Sequence, residues 1–178
     1  MNGKIARRYA RALLAVGGED NAALENLGAA LKTLAAAVGT PEIQLRFTAP
    51  DFPPEARVHA IDRVAERLGL GFPLRSFAVV VTRHGRLADL PAIAAAYQDQ
   101  LDARMGRARA TLTFARTPAD DQVKLVVDGL AAIAHKTIIP TVKVDESLLG
   151  GVVAELEGRT YDGSLATMIS EAQHRLAH

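Results

Sequence analysis

The chain has 178 residues, enough for one domain or two small ones, and 49% of them are hydrophobic, enough for a core. With a formal net charge of +1, the chain as a whole has no strong electrostatic attraction for nucleic acid. An aromatic content of 4% also argues against a surface on which the bases of single-stranded nucleic acid stack. The absence of cysteine excludes disulfides, thiol chemistry and cysteine metal ligands. No run of about 18 apolar residues occurs, so no membrane-spanning segment is predicted.

The first part of the chain, residues 1–105, shows helical periodicity punctuated by glycine and proline. Leucines in the second helix alternate spacings of three and four, which is typical of bundle packing. The fifth helix is apolar almost all round, so it is either central to its bundle or covered by a partner. The predicted helices cover residues 3–16, 20–38, a short segment from 41, 54–68, 73–84 and 87–105. The sequence therefore predicts a six-helix bundle.

After Gly106 the apolar residues recur at every second position, as in a strand: Ala110, Leu112 and Phe114 alternate with threonines. The Thr-Pro pair at 117–118 predicts the start of a helix, with the threonine as N-cap. Strands are predicted at 142–144 and 152–156, followed by a polar turn over 157–161 and a last helix. Residues 106–178 therefore predict a small β-α-β-β-α domain, and the whole chain an α+β fold that is mostly α.

Gly150 and Gly151 are predicted to form the tight corner of a hairpin between two strands, because glycine adopts positive φ without steric cost. A phosphate cradle is the alternative, but neither the GxxxxGK[ST] nor the GxGxxG pattern is present. Asp145 is predicted to be a turn residue at the end of a strand. Asp162 is predicted to cap the last helix, which it opens together with Ser164.

The sequence predicts no catalytic, cofactor or metal site. None of its five histidines stands in a metal-ligand spacing, and no serine lies in a GxSxG element. A small hydrolase or transferase using Asp145, Asp162 and a histidine remains as an alternative, and it predicts a polar pocket between these groups. The cluster of Arg7, Arg8 and Arg11 is interpreted as a solvated helix face, with an RNA-binding adaptor as the competing hypothesis.

Three stretches, in order along the chain, resemble one known family. They are ARRYARALL at 6–14, HGRLADLPAIAAAY at 84–97 and VKVDESLLGGVVAELEG at 142–158, the last followed by Asp162 and Ser164. Together they resemble the ATP synthase delta subunit, whose mitochondrial version is the oligomycin-sensitivity-conferring protein. The resemblance spans nearly the whole chain.

This resemblance implies a non-catalytic stator, or peripheral stalk, subunit of F-type ATP synthase that resists rotation during proton-driven ATP synthesis. Residues 1–105 would bind the N-terminal helices of the alpha subunits and residues 106–178 the C-terminal region of subunit b. The implied alpha-binding residues lie on the first and fifth helices, and which apolar stripe faces outward stays open. They are Ala6, Tyr9, Ala10, Leu13, Phe77, Val80, Val81 and His84.

The resemblance also implies a location on the cytoplasmic face of the bacterial plasma membrane, without direct membrane insertion and without a nucleic-acid partner. A mitochondrial presequence is an alternative for the basic, amphipathic N-terminus. Because the family-like helix starts almost at Met1, the N-terminus is expected to be part of the mature fold.

Overall fold

The computed structural model describes residues 3–148 and 150–163. It divides the chain into two compact units, Met1–Leu101 (unit 1) and Asp102–His178 (unit 2). The described part of the chain is mostly helical, with one four-stranded sheet in its C-terminal part. The prediction of a mostly α, α+β protein is therefore confirmed.

The helices begin and end where glycine, proline and capping residues punctuate the apolar periodicity. Asp20 caps the second helix, because its Oδ1 accepts a hydrogen bond of 3.1 Å from the N–H of Ala22. Pro41 and Pro54 occupy first helical positions, where the missing N–H costs nothing. The elements are α1 (Gly3–Val16), α2 (Asn21–Val38), α3 (Pro41–Thr48), α4 (Pro54–Arg67), α5 (Leu74–Arg83), a 3-10 turn (Leu87–Asp89) and α6 (Leu90–Arg104).

The core of unit 1 includes a close approach of α2 to α6. Tyr97 is fully buried, and a Cβ atom at Gly28 would lie only 3.0 Å from Cε1 of its ring. The Tyr97 hydroxyl donates a 2.9 Å hydrogen bond to the carbonyl of Leu24. Gly28 therefore leaves space for the Tyr97 ring, and the hydrogen bond to Leu24 satisfies the buried hydroxyl of Tyr97.

A bidentate ion pair joins α4 to α5. The Arg75 guanidinium donates to both carboxylate oxygens of Asp62, at 2.6 and 2.8 Å, and lies 3.8 Å from Glu66. The hydrogen bond from Arg75 holds the pKa of Asp62 below its ordinary value of 3.8, and the charges of Arg75 and His59 act in the same direction. Partial desolvation of the Asp62 carboxyl group acts in the opposite direction and raises its pKa. The pair ties together two helices whose apolar faces already pack.

The Asp62–Arg75 pair predicts an acid-sensitive part of the stability. A carboxyl group whose pKa is lower in the folded than in the unfolded state stabilises the fold above its unfolded pKa, and this stabilisation disappears as pH falls through the folded pKa. The difference in unfolding free energy between the natural chain and Arg75→Gln should therefore be full above about pH 5 and vanish at lower pH. Denaturation across this range measures it. Arg67→Gln is the control, and a pH-independent difference for Arg75→Gln would contradict the assignment.

Unit 2 contains a sheet in the strand order β2-β1-β3-β4. Strand β1 pairs in parallel with β2 and antiparallel with β3, which pairs antiparallel with β4. The bounds are β1 (Arg107–Phe114), α7 (Asp120–Ala134), β2 (Thr137–Val144), β3 (Val152–Leu156) and β4 (Arg159–Asp162). Alternate residues of β1 are buried against α7 and the neighbouring strands, in a core of Ala108, Ala110, Leu112, Phe114, Leu130, Ile138, Ala154 and Leu156.

The predicted polar turn after β3 and the predicted start of α7 are both wrong. The segment predicted as a polar turn ending in a helix cap forms strand β4, because Glu157 and Gly158 adopt φ of 50° and 80° and close a two-residue hairpin. Asp162 is therefore the last residue of a strand. Helix α7 begins at Asp120 and not at the Thr-Pro pair, because the Gln122 side chain accepts a 3.1 Å hydrogen bond from the N–H of Ala119. The helix predicted after Asp162, with Ser164, lies outside the described residues.

Candidate partner-binding surfaces

Four of the eight predicted partner-binding residues belong to the core of unit 1. They are Ala6, Ala10, Leu13 and Val81, each between 0% and 4% exposed. Their side chains are covered by unit 1 itself and are not available to a partner. The stripe of small residues on α1 therefore faces inward, where alanine lets helices approach closely.

The other four residues lie at the surface. Tyr9 and Phe77 are half-buried and contact each other edge to face, with ring centroids 6.2 Å apart and planes at 76°. Val80 is 44% exposed, and His84 is exposed just after the end of α5. The ring contact places the outward stripes of α1 and α5 side by side.

Both stripes continue along their helices at helical spacing. On α1 the outward positions are 5, 9, 12 and 16, and Val16 is 55% exposed. On α5 they are 77, 80 and 84. We call this surface the α1–α5 face, and it consists of Ile5, Tyr9, Ala12, Val16, Phe77, Val80 and His84. Two adjacent apolar stripes form a surface along which another amphipathic helix can pack.

Helix α1 is held in place at its polar side as well. The amide of Gln100 on α6 donates a 3.0 Å hydrogen bond to the carbonyl of Arg7. Arg8 places its guanidinium carbon 5.6 Å from the centre of the Tyr9 ring, within cation–π distance. The hydrogen bond from Gln100 holds α1 against α6, and the outward stripe of α1 stays open.

The corner of unit 2 that precedes β3 depends on backbone freedom and on one carboxylate. Asp145 accepts hydrogen bonds from the hydroxyl of Ser147 at 2.6 Å and from its N–H at 2.9 Å, and these bonds lower the pKa of Asp145 below 3.8. Gly150 and Gly151 adopt φ of 131° and 82°, which side-chain-bearing residues rarely adopt. The arrangement redirects the chain from β2 towards β3. The prediction of a hairpin at this corner is wrong, because β1 lies between β2 and β3 in the sheet.

Replacing Gly151 by valine should destabilise unit 2 by about 1–3 kcal/mol, because a β-branched residue is strained at a φ of 82°. Thermal denaturation followed by circular dichroism measures the change. Gly129→Ala is the control, since that helical glycine has no neighbour within 4 Å and the substitution should stabilise α7. An unchanged melting curve for Gly151→Val would contradict the role of this corner.

The paired-carboxylate hypothesis has no support in the geometry. Asp145 follows the strand at one edge of the sheet, and Asp162 ends the strand at the other edge. Three inter-strand spacings separate these strands, roughly 14 Å, whereas paired catalytic carboxylates lie about 5–9.5 Å apart. Within the described ranges 3–148 and 150–163, no group of three or more histidine, aspartate or glutamate side chains could hold a metal ion.

Unit 2 presents apolar surface of its own, which the sequence did not predict. Leu125 and Ile133 on α7 are 76% and 60% exposed, and Val142 and Val144 on β2 are 42% and 49% exposed. A shallow, mostly apolar groove runs beside α7, between Val126 and Ile133 on the helix and Val152 and Tyr161 on the sheet. No helix in the described part of the chain is long and apolar enough to cross a membrane.

Comparison with known proteins gives the class of this chain. A model of the family described as "ATP synthase delta (OSCP) subunit" matches residues 5–176. The chain is 34% identical over 176 residues to the ATP synthase subunit delta of Anaeromyxobacter dehalogenans, covering 98% of this chain and 97% of that protein. It is 33% identical over 170 residues to that of Geobacter metallireducens, with coverage of 95% and 94%. The chain therefore belongs to the ATP synthase delta (OSCP) family.

A solved structure shows the same fold. A chain of the cryo-EM structure of the Toxoplasma gondii mitochondrial ATP synthase hexamer matches with a TM-score of 0.65 and 18% identity, covering 98% of both chains. The family and its fold together identify a structural subunit and not an enzyme: the chain is a non-catalytic stator subunit of ATP synthase.

Proposed function

We propose that the α1–α5 face of unit 1 binds the N-terminal helices of the alpha subunits and so fixes this protein to the alpha-beta catalytic hexamer. The observation that carries the proposal is the exposed pair of apolar stripes, which meet at Tyr9 and Phe77 and leave Val80 open. Helix-in-groove recognition requires apolar anchors at such spacing. The buried residues Ala6, Ala10, Leu13 and Val81 would support the docking surface from beneath.

Unit 2 holds the C-terminal region of subunit b in this proposal. The exposed apolar residues of α7 and β2 supply the surface, centred on Leu125, Ile133 and Val144. In this proposal the helical residues 1–105 bind the hexamer, and residues 106–178, which contain α7 and the four-stranded sheet, bind the stalk. The protein would then work on the cytoplasmic face of the bacterial plasma membrane, as a peripheral component of the complex.

The task under this proposal is mechanical. Rotation of the central shaft during proton-driven ATP synthesis drags the catalytic hexamer, and the stator must hold it still. Slow dissociation from both partners matters more than fast association, because a released contact lets the hexamer turn. Rigid helices with packed cores, such as α2 against Tyr97 of α6, suit this task.

Binding experiments with the full chain test the proposal. The N-terminal segment of the alpha subunit and the C-terminal segment of subunit b, both from the same organism, are titrated separately and together by calorimetry. Independent, simultaneous binding of both segments is the expected result. Failure of the alpha-subunit segment to bind would reject the role of unit 1, and competition between the two segments would reject the division between the units.

A further inference from the structure

The charges of α1 and α5 are distributed differently from those of the whole chain. The chain has 21 lysines and arginines against 20 acidic residues, yet neither α1 nor α5 contains Asp or Glu. Helix α1 carries Lys4, Arg7, Arg8 and Arg11, and α5 carries Arg75 and Arg83. The two helices that form the α1–α5 face are therefore the site of a local cationic excess.

The cations stand on both sides of the apolar stripes. Along α1, Arg8 lies on the flank of the stripe that faces away from the core, next to Tyr9, and it is exposed. Along α5, Arg83 is exposed beside Val80, three residues further along the helix. Arg75 lies on the opposite flank of α5, where it is engaged by Asp62. The apolar face is thus bordered by Arg8 on one helix and Arg83 on the other.

These two border cations have no acidic counterpart in unit 1. Among residues 3–148 and 150–163, no carboxylate forms an ion pair with Arg8 or Arg83, whereas Arg75 and Arg86 are paired with Asp62 and Asp89. A surface that is apolar at its centre and cationic along both borders is complementary to an amphipathic helix with carboxylates on both sides of its apolar stripe.

We propose that the helix bound by the α1–α5 face is acidic at the positions flanking its apolar stripe, and that Arg8 and Arg83 select it. This inference rests on the proposed function and specifies the chemistry of the partner. An anionic lipid surface fits less well, because Tyr9 and Phe77 are half-buried between two helices and do not protrude as membrane-inserting side chains do. Arg8 and Arg83 would accelerate association with such a helix, and they would repel a helix that carries Lys or Arg beside its apolar stripe.

The test uses the full chain and two forms of the alpha-subunit N-terminal segment, the natural peptide and one with every Asp and Glu replaced by Asn and Gln. We expect the natural peptide to bind about tenfold more tightly, mainly through faster association. This preference should shrink as salt rises from about 0.1 M to about 1 M, because the screening length falls from about 10 Å to about 3 Å.

Variants of the protein assign the effect to the two borders. Arg8→Gln combined with Arg83→Gln should remove most of the preference for the acidic peptide. The matched control is Arg63→Gln combined with Arg67→Gln, which removes the same charge from exposed positions on α4 and should keep the preference. Equal thermal denaturation of both double variants shows that the fold is retained.

The outcomes separate this inference from the proposed function. If both peptides bind equally at all salt concentrations, the acidic partner is excluded while docking on the α1–α5 face stands. If neither form binds, the docking function itself fails and the inference with it. A third outcome would overturn the inference and assign the two cations to a lipid surface. In that outcome the natural chain binds phosphatidylglycerol vesicles, and the double variant Arg8→Gln with Arg83→Gln loses this binding while its affinity for the peptide is unchanged.

Discussion

Replacing Val80 by aspartate is expected to weaken binding of the alpha-subunit segment at least about a hundredfold, or roughly 2.7 kcal/mol. Val80 is 44% exposed at the centre of the α1–α5 face, so a docked apolar helix would cover the new carboxylate. Burying an unpaired charge costs several kcal/mol. Calorimetric titration of the full-length variant measures the loss, and the melting temperature should stay unchanged because the site is open in the free protein.

Val144→Asp provides the matched control for this prediction. The chemical change is identical, and the site is 49% exposed, but it lies on β2 in unit 2. Affinity for the alpha-subunit segment should therefore remain as in the natural chain. Intact binding by Val80→Asp would show that the hexamer contacts another surface of unit 1, and weakened binding by both variants would point to a general effect of added negative charge.

Replacing Asp102 by asparagine is expected to destabilise the protein by about 1.5–3 kcal/mol, the range for losing a charge-assisted hydrogen bond at a buried acceptor. Asp102 lies in the last turn of α6, only 4% exposed, and its carboxylate accepts a 2.6 Å hydrogen bond from Arg109 on β1. Arg107 lies 3.7 Å from the other carboxylate oxygen. Removing the negative charge leaves a buried neutral amide in place of the acceptor of Arg109, whose side chain is 49% exposed and can turn to solvent, and beside Arg107, whose side chain is 23% exposed. Urea denaturation measures the cost.

Asp99→Asn is the control for the Asp102 prediction. Asp99 lies on the same helix one turn earlier and is exposed, so the same substitution should change the unfolding free energy by less than about 0.5 kcal/mol. Equal effects of the two substitutions would mean that the Asp102–Arg109 pair contributes no more than a surface charge. A large effect at Asp102 alone would identify this pair as the anchor of β1.

The sequence predicted the helices of unit 1 well, because their apolar spacing and their glycine and proline boundaries are local signals. It could not decide which stripe of α1 faces outward. Both stripes are apolar, and the choice depends on which one α5 and α6 cover. The structure makes the choice through the Tyr9–Phe77 contact and the hydrogen bond from Gln100 to Arg7, both between residues distant in sequence.

Strand β4 was missed for a different reason. The segment Arg-Thr-Tyr-Asp has one apolar member and no clear alternation, so periodicity does not mark it as a strand. The signal was in the two preceding residues, since Glu157 and Gly158 form the kind of two-residue turn that joins hairpin strands. The outward residues of α7 were also missed, because Leu125 and Ile133 are as apolar as the core residues of the same helix.

The position of β1 in the sheet has a consequence for biosynthesis. This strand is made first yet lies between two strands that are made later, so its edge towards β3 stays unpaired until residue 156 has left the ribosome. The helices preceding it, by contrast, can collapse on one another while translation continues. The nascent chain therefore passes through a stage with a finished helical part and a strand that is still open at one edge, and this stage is where chaperone binding and aggregation are expected.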